Sequence, residues 1–248
     1  MKNVSNATDA DAAKAAQVLD RMVSAMGGER WMTLKDMETE GRSASFYHGN
    51  PSGGYTLFFS FHRFGTPQQP DGADRTELTK KRNVIEIVQG NDAWEVTFQG
   101  KHRIEKEDAD AYFRHRAHSI EQLIHVWLAR PGNILFYNGR KMADSHLADE
   151  VTVLAADNDS ITLLVDVDTH LPRKRTFTWR DPVYKDKNVD DETYDDWHLA
   201  QGIPSSYMVT QYKNGEMARQ RYLSKIGYNI TLPDSFFDAD VAAAQIAK

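Results

Sequence analysis

The chain has 248 residues, 30 basic and 36 acidic side chains and a formal net charge of −6, with 40% hydrophobic and 27% charged residues. That length suits one large β domain or two small ones, and the acidic balance gives no electrostatic footing for a nucleic-acid backbone. The absence of cysteine excludes disulfides, thiolate catalysis and zinc–cysteine sites, and no apolar run approaches the ~20 residues that cross a bilayer as a helix.

Residues 1–7 are expected to be disordered, and the opening "MKNVSNATDADAAKAA" lacks the apolar core of a secretion signal. From Thr8 to Met26 the period is helical, with Thr8 and Asp9 placed to cap the first amides. Val18, Leu19, Met22, Val23 and Met26 form its apolar stripe. Gly27 and Gly28 end it, and "ERWMTL" adds a short turn whose Trp31 reads as core.

Strands follow over "METEGRSASFY", "YTLFFSFHRF", "DRTELTKK", "NVIEIVQ" and "AWEVTFQ". Residues 107–129 return to a helical period, with Ile120, Leu123, Ile124, Trp127 and Leu128 on one face, until Pro131 and Gly132 stop it. The rest, to about residue 230, reads as strand and turn. Asn138-Gly139 and Asn214-Gly215 both signal tight hairpins. Short strands without crossover helices argue for one antiparallel barrel or sandwich spanning residues 1–248, not a parallel sheet.

Reactive constellations are few. His118, Glu121 and His125 stand at i, i+3 and i+7, so an unbroken helix places them on one face. Two imidazoles and a carboxylate suit zinc or iron, and a metal-assisted hydrolase built on them is the enzymatic alternative. The H-E-x-x-H spacing is absent, however, and a solvated helix flank with hydrogen-bonded histidines is the plainer reading. In "DKNVDDETYDDW", Asp186, Asn188 and Asp190 imitate the first ligands of a calcium loop. Asp191 stands where the turn glycine belongs and Trp197 where the bidentate glutamate belongs, so an acidic, solvated loop is expected, with weak calcium binding as the alternative. G-x-S-x-G, Walker and G-x-G-x-x-G signatures are missing. No catalytic residue, metal or cofactor is assigned.

What remains is apolar alternation. Phe59 and Phe61 share a strand face, as do Trp94 and Phe98, Phe177 and Trp179, and Tyr207 and Val209. A barrel of this size fills its interior or leaves room for a ligand. We therefore expect Phe59, Phe61, Trp94, Phe98, Leu123, Trp127, Phe177, Trp179 and Tyr207 to line a ligand-binding apolar space. A ligand-free interaction module with a packed barrel is the other alternative.

Asp168, Thr169, Leu171 and Pro172, the Gly202…Pro204 strand entry, and Asn229 and Leu232 followed by "DSFFD" carry a resemblance. Together with the opening "AMGGERWMTLKDMETEG", they resemble bacterial proteins of the lipoprotein-sorting, LolA/LolB-like superfamily. The resemblance implies a mainly β (α+β) fold, a single antiparallel, incompletely closed barrel curved around an apolar cavity. An N-terminal helix and a central helix, bearing Leu123 and Trp127, would act as plug or lid. It further implies a non-catalytic periplasmic carrier or holder of lipid or lipoprotein acyl chains, with a membrane-bound delivery partner. The acidic "KDKNVDDETYDDW" insertion departs from the classical carriers.

Overall fold

Helix α1 (Asp9–Ala25) buries Ala15, Val18, Leu19 and Met22, one stripe at helical spacing, in the computed structural model, which describes residues 9–246. Expected disorder over residues 1–7 and a cap from Thr8 lie outside the described residues. Gly27 and Gly28 adopt positive φ, and the Gly28 amide reaches back to the Val23 carbonyl, so the helix stops as its glycines dictate. The short α2 (Glu29–Met32) follows, with Trp31 buried.

Strands β1 (Asp36–Tyr47), β2 (Asn50–Pro51), β3 (Thr56–Arg63), β4 (Ala73–Leu78), β5 (Val84–Gln89), β6 (Asp92–Thr97) and β7 (Gly100–Arg103) come next. Helices α3 (Lys106–Ala117) and α4 (Ile120–His125) and a 3-10 turn (Trp127–Ala129) separate them from the second run. That run is β8 (Ile134–Ala143), β9 (His146–Leu154), β10 (Ser160–Asp166), β11 (Pro172–Arg180), β12 (Lys187–Ala200), β13 (Ile203–Lys213) and β14 (Glu216–Tyr228). A second 3-10 turn (Asp234–Phe237) and α5 (Ala239–Ile246) complete the described chain.

All fourteen strands join one antiparallel sheet, ordered β7-β6-β5-β4-β3-β1-β14-β13-β12-β11-β10-β9-β8, with β2 beside β1. The order begins at β7 and ends at β8, so the sheet is not closed. The chain travels outward from β1 to β7 by local pairings, crosses through α3 and α4, and returns from β8 to β14. Among the described residues only the β1–β14 pairing, Met37 opposite Tyr228, joins strands distant in sequence.

The crossover lies on one face, here the inner face. Val151, Val153, Ile161, Leu163 and Val165 of that face pack with Leu19, Met22, Leu123, Ile124 and Trp127 into the main core. Each such side chain contributes roughly 1.5–3 kcal/mol by leaving water. Beyond this core, α3 covers Val88 and Ala93 with Ala109, Tyr112 and Phe113. On the outer face Ile85, Ile87 and Val96 meet Ala239 and Ala242 of α5. Strands β5 and β6 are thus covered on both sides, which is why β5 carries apolar residues for both faces, Ile85 and Ile87 outward and Val88 inward, around Glu86.

Three expectations need correction. Asn138-Gly139 is not a hairpin: β8 runs through it, the register shifts between Tyr137 and Arg140, and Gly139 takes φ 88° as an extra, bulged residue. Asn214-Gly215 does make the β13–β14 turn, both residues at positive φ. The acidic stretch is not a loop: from Lys187 to Trp197 it forms most of β12. Its carboxylates face the bases of β11: Lys174 to Asp191 at 3.0 Å and Arg175 to Glu192 at 3.1 Å. The central helix is also broken, because Ser119 caps a new helix by accepting from the Gln122 amide.

Candidate functional site: the covered inner face

The α4 segment is six residues long, yet Ile120, Leu123, Ile124 and His125 are all buried. Side-chain bonds to backbone hold it. Gln122 Nε2 donates to the Pro70 carbonyl at 2.6 Å, and Trp127 Nε1 donates to the Ala117 carbonyl at 3.1 Å. His125 stacks on Phe64 with ring centroids 4.9 Å apart, and Trp31 meets both rings edge-on. Burial, then the neighbouring His62, pushes the His125 imidazole down to about 4. Its Nε2 is buried without a partner.

Beneath α3 the inner face turns polar. Arg175, 1% exposed, directs Nη2 to Glu192 at 3.1 Å and Nε to the Tyr194 hydroxyl at 3.3 Å. Tyr194 donates to Glu192 at 2.6 Å and Gln211 donates to it at 2.8 Å. Burial alone would raise the Glu192 carboxyl, but Arg175 and these donors hold it down to about 2. Asp190 accepts from Trp179 Nε1 at 3.0 Å and lies 3.4 Å from His115 Nε2. Burial, then Arg175, lowers the His115 imidazole. The arrangement is an ion pair between a buried Arg175 and a largely buried Glu192 whose oxygens are satisfied, and it ties β11, β12 and β13 together. Arg175 Nη1 has no hydrogen-bond partner.

The structure divides the nine residues expected to share an apolar space. Leu123 and Trp127 sit in the main core, with Tyr207 packed against it. Phe177 and Trp179 share the inner face but lie under α3. Phe177 stacks flat on His118 at 4.1 Å, and Trp179 lies beneath the Arg114 guanidinium at 3.8 Å. Phe59, Phe61 and Trp94 are on the outer face instead. Phe59 lies under Arg82, Phe61 against Phe236, and Trp94 against Lys101 and Arg103. Phe98 is exposed at the β6–β7 turn. Phe59 and Phe61, and Phe177 and Trp179, do share strand faces, but the Trp94–Phe98 row ends with β6 at Thr97. Which face the helices cover depends on tertiary contacts that alternation does not encode.

His118, Glu121 and His125 do not converge, because the helix break at Ser119 turns the two imidazoles apart. His118 Nδ1 donates to the Arg114 carbonyl at 2.7 Å and Nε2 lies 2.9 Å from Asp159. Both histidines are buried, so the solvated flank is corrected too. Among the described residues no group of three or more histidines and carboxylates is placed to hold a metal ion. Asn188 and Asp190 are occupied by Asn214 and Trp179. Sequence reasoning missed the Arg175–Glu192–Tyr194–Gln211 cluster, although "RKR" facing "DDET" across a hairpin was its signal.

No family model and no curated protein matches the chain by sequence. Solved structures do match in shape. A DUF1329 family protein from Desulfovibrio piger is 12% identical with a TM-score of 0.64, the match covering 91% of this chain and 98% of that one. A domain named for outer membrane lipoprotein sorting, from Vibrio parahaemolyticus, is 10% identical with a TM-score of 0.59, covering 94% and 99%. A LolA superfamily protein from Nitrosomonas europaea is 11% identical with a TM-score of 0.54, covering 91% and 98%. The chain therefore has a LolA-like fold.

Proposed function

We propose that this protein is a non-catalytic holder or carrier of lipid or lipoprotein acyl chains in the bacterial cell envelope, working in the periplasm with a membrane-bound delivery partner. One observation carries the reading. The apolar inner face of an open sheet is covered by a short helical segment, α4 and the turn after it, which reaches edge strand β7 through α3 and edge strand β8 through a short loop. Displacing that plug would free Val151, Val153, Ile161, Leu163 and Val165 for an acyl chain, and Leu123 and Trp127 would line the same space. Phe177, Trp179 and Tyr207 would border it. The LolA-like fold and the lipoprotein-sorting name of one fold relative support the reading by analogy.

A second reading, a ligand-free module with a packed barrel, is favoured by Leu123, Val151, Val153, Ile161 and Leu163 all being fully buried as the plug now sits. Native mass spectrometry of gently extracted protein separates the two. A carrier should release acyl lipid on denaturation. A bare protein that also takes up no added lipid would assign the packed module.

A further inference from the structure

The register sends the strand connections to two ends of the sheet, and the two ends differ in chemistry. At one end lie the β1–β3, β4–β5, β6–β7, β9–β10, β11–β12 and β13–β14 connections. They carry Tyr47, Tyr55, Phe98, Val183 and Tyr184, each between 66% and 79% exposed. The only other large aromatic exposed to this class among the described residues is Tyr222, at 41%, in the body of β14. Exposed Lys80, Lys81, Lys185, Lys187 and Lys213 stand among these tips. Exposed Asp157 and Asp186 share that end, while the opposite end presents exposed Asp71, Asp92, Asp144, Asp168 and Asp196 beside exposed Arg30, Lys35 and Arg103. In a chain of net charge −6, the end that carries the exposed rings is thus also the one where exposed lysines outnumber the exposed carboxylates Asp157, Asp186 and Glu216.

The β11–β12 turn is built to present its apolar pair. Asp181 Oδ1 accepts from the amides of Val183 and Tyr184 at 2.7 and 2.8 Å, and Arg180 Nη1 donates to the Lys185 carbonyl at 2.8 Å. Lys185 Nζ bonds the Pro182 carbonyl at 2.6 Å. The Asp181 carboxylate is therefore used inside the turn. Glu216 is similarly engaged: it lies 3.0 Å from His48 Nδ1, tying the β1–β3 tip to the β13–β14 tip.

We propose that this pole is a docking rim for the surface of an anionic lipid bilayer. Tyrosine and phenylalanine rings favour the headgroup boundary, where one edge is apolar and the other wet. Lysines around them are drawn to an anionic leaflet within a Debye length. The rings stand on separate tips spaced by lysines, a pattern that suits a deformable lipid surface and provides no continuous groove for a folded partner. The rim stands apart from the cargo reading and needs no cavity.

The test is co-sedimentation with vesicles of phosphatidylcholine alone and of equal parts phosphatidylcholine and phosphatidylglycerol. Wild type should bind the mixed vesicles preferentially, and binding should fall with added salt. A Phe98→Ser, Val183→Ser, Tyr184→Ser triple variant should weaken binding by about tenfold or more. Lys80→Glu with Lys81→Glu should remove the preference for anionic vesicles. Met142→Ser with Leu199→Ser, exposed positions at the opposite pole, should leave binding unchanged. Wild type binding neither vesicle, the triple variant binding like wild type, or the opposite-pole variant losing as much would each overturn the rim. So would self-association abolished by the triple variant without vesicle binding, which would assign the tips to a second copy. Fatty-acid uptake by the triple variant, measured in parallel, should be unchanged, so failure of the rim and failure of the cargo reading register separately.

Discussion

At Arg175 and Glu192 two opposite charges are buried side by side, so removing one should cost more than the pair contributes net. Glu192→Gln leaves the Arg175 guanidinium facing a neutral amide, and a loss of about 3 kcal/mol is expected in urea unfolding. The Glu192 carboxyl is held at about 2 against an ordinary 4.5. Its contribution is therefore present above pH 4.5 and is lost as pH falls from there towards 2. His125 acts in a higher window. Its folded value of about 4 lies below the ordinary 6.5, so the unfolded chain binds the extra proton first and stability falls as pH drops from 6.5 to 4. After discounting for solvent screening the loss is about 2 kcal/mol. His62 has the opposite sign, since Asp74 at 2.6 Å raises it against burial. Comparing His125→Leu with wild type at pH 7 and pH 5 isolates the His125 part: the variant should lose less stability between the two. An equal loss would place the acid sensitivity elsewhere.

Elements were legible where one local signal decided them. The α1 stripe, the Gly27-Gly28 stop, the Asn214-Gly215 turn and most strands follow directly from spacing and turn chemistry. The errors arose where two signals competed. In the central helix, periodicity masked the capping residue Ser119. In β12, the acidic composition of a solvated loop masked a strand whose partner was basic. At Asn138-Gly139 a turn dipeptide proved to be a bulge, and α5, short and alanine-rich, carried no distinct pattern. The β1–β14 pairing joins elements far apart in sequence and depends on close backbone approach at Gly41. A Cβ there would lie 2.1 Å from the Tyr222 carbonyl oxygen and 3.0 Å from the Leu223 Cα. Gly41→Ala should therefore cost about 3 kcal/mol by forcing the two strands apart. Thermal unfolding of the variant within 1 kcal/mol of wild type, on the order of an exposed substitution, would show that the strands yield freely.

For the whole molecule, sequence reasoning reached the open antiparallel sheet with helices on it. It assigned the candidate site only in part, because alternation reveals that a strand has two faces without saying what covers each. Leu123 and Trp127 were found through helical periodicity, while Phe59, Phe61 and Trp94 belong to the face that α5 and its preceding turn cover. We propose that the sheet and its helices unfold as one unit, since a single sheet links both halves through β1 and β14. Calorimetry should give one transition, and two independent transitions would contradict that. The central claim is that the inner face exchanges its plug for an acyl chain. Its most direct measurement is a titration of fluorescent fatty acids of increasing chain length into delipidated protein. Each added methylene that enters the apolar space contributes about 0.8 kcal/mol, so affinity should rise roughly fourfold per carbon until the space is full. Flat affinity across chain lengths, or no binding by the folded protein, would contradict the account.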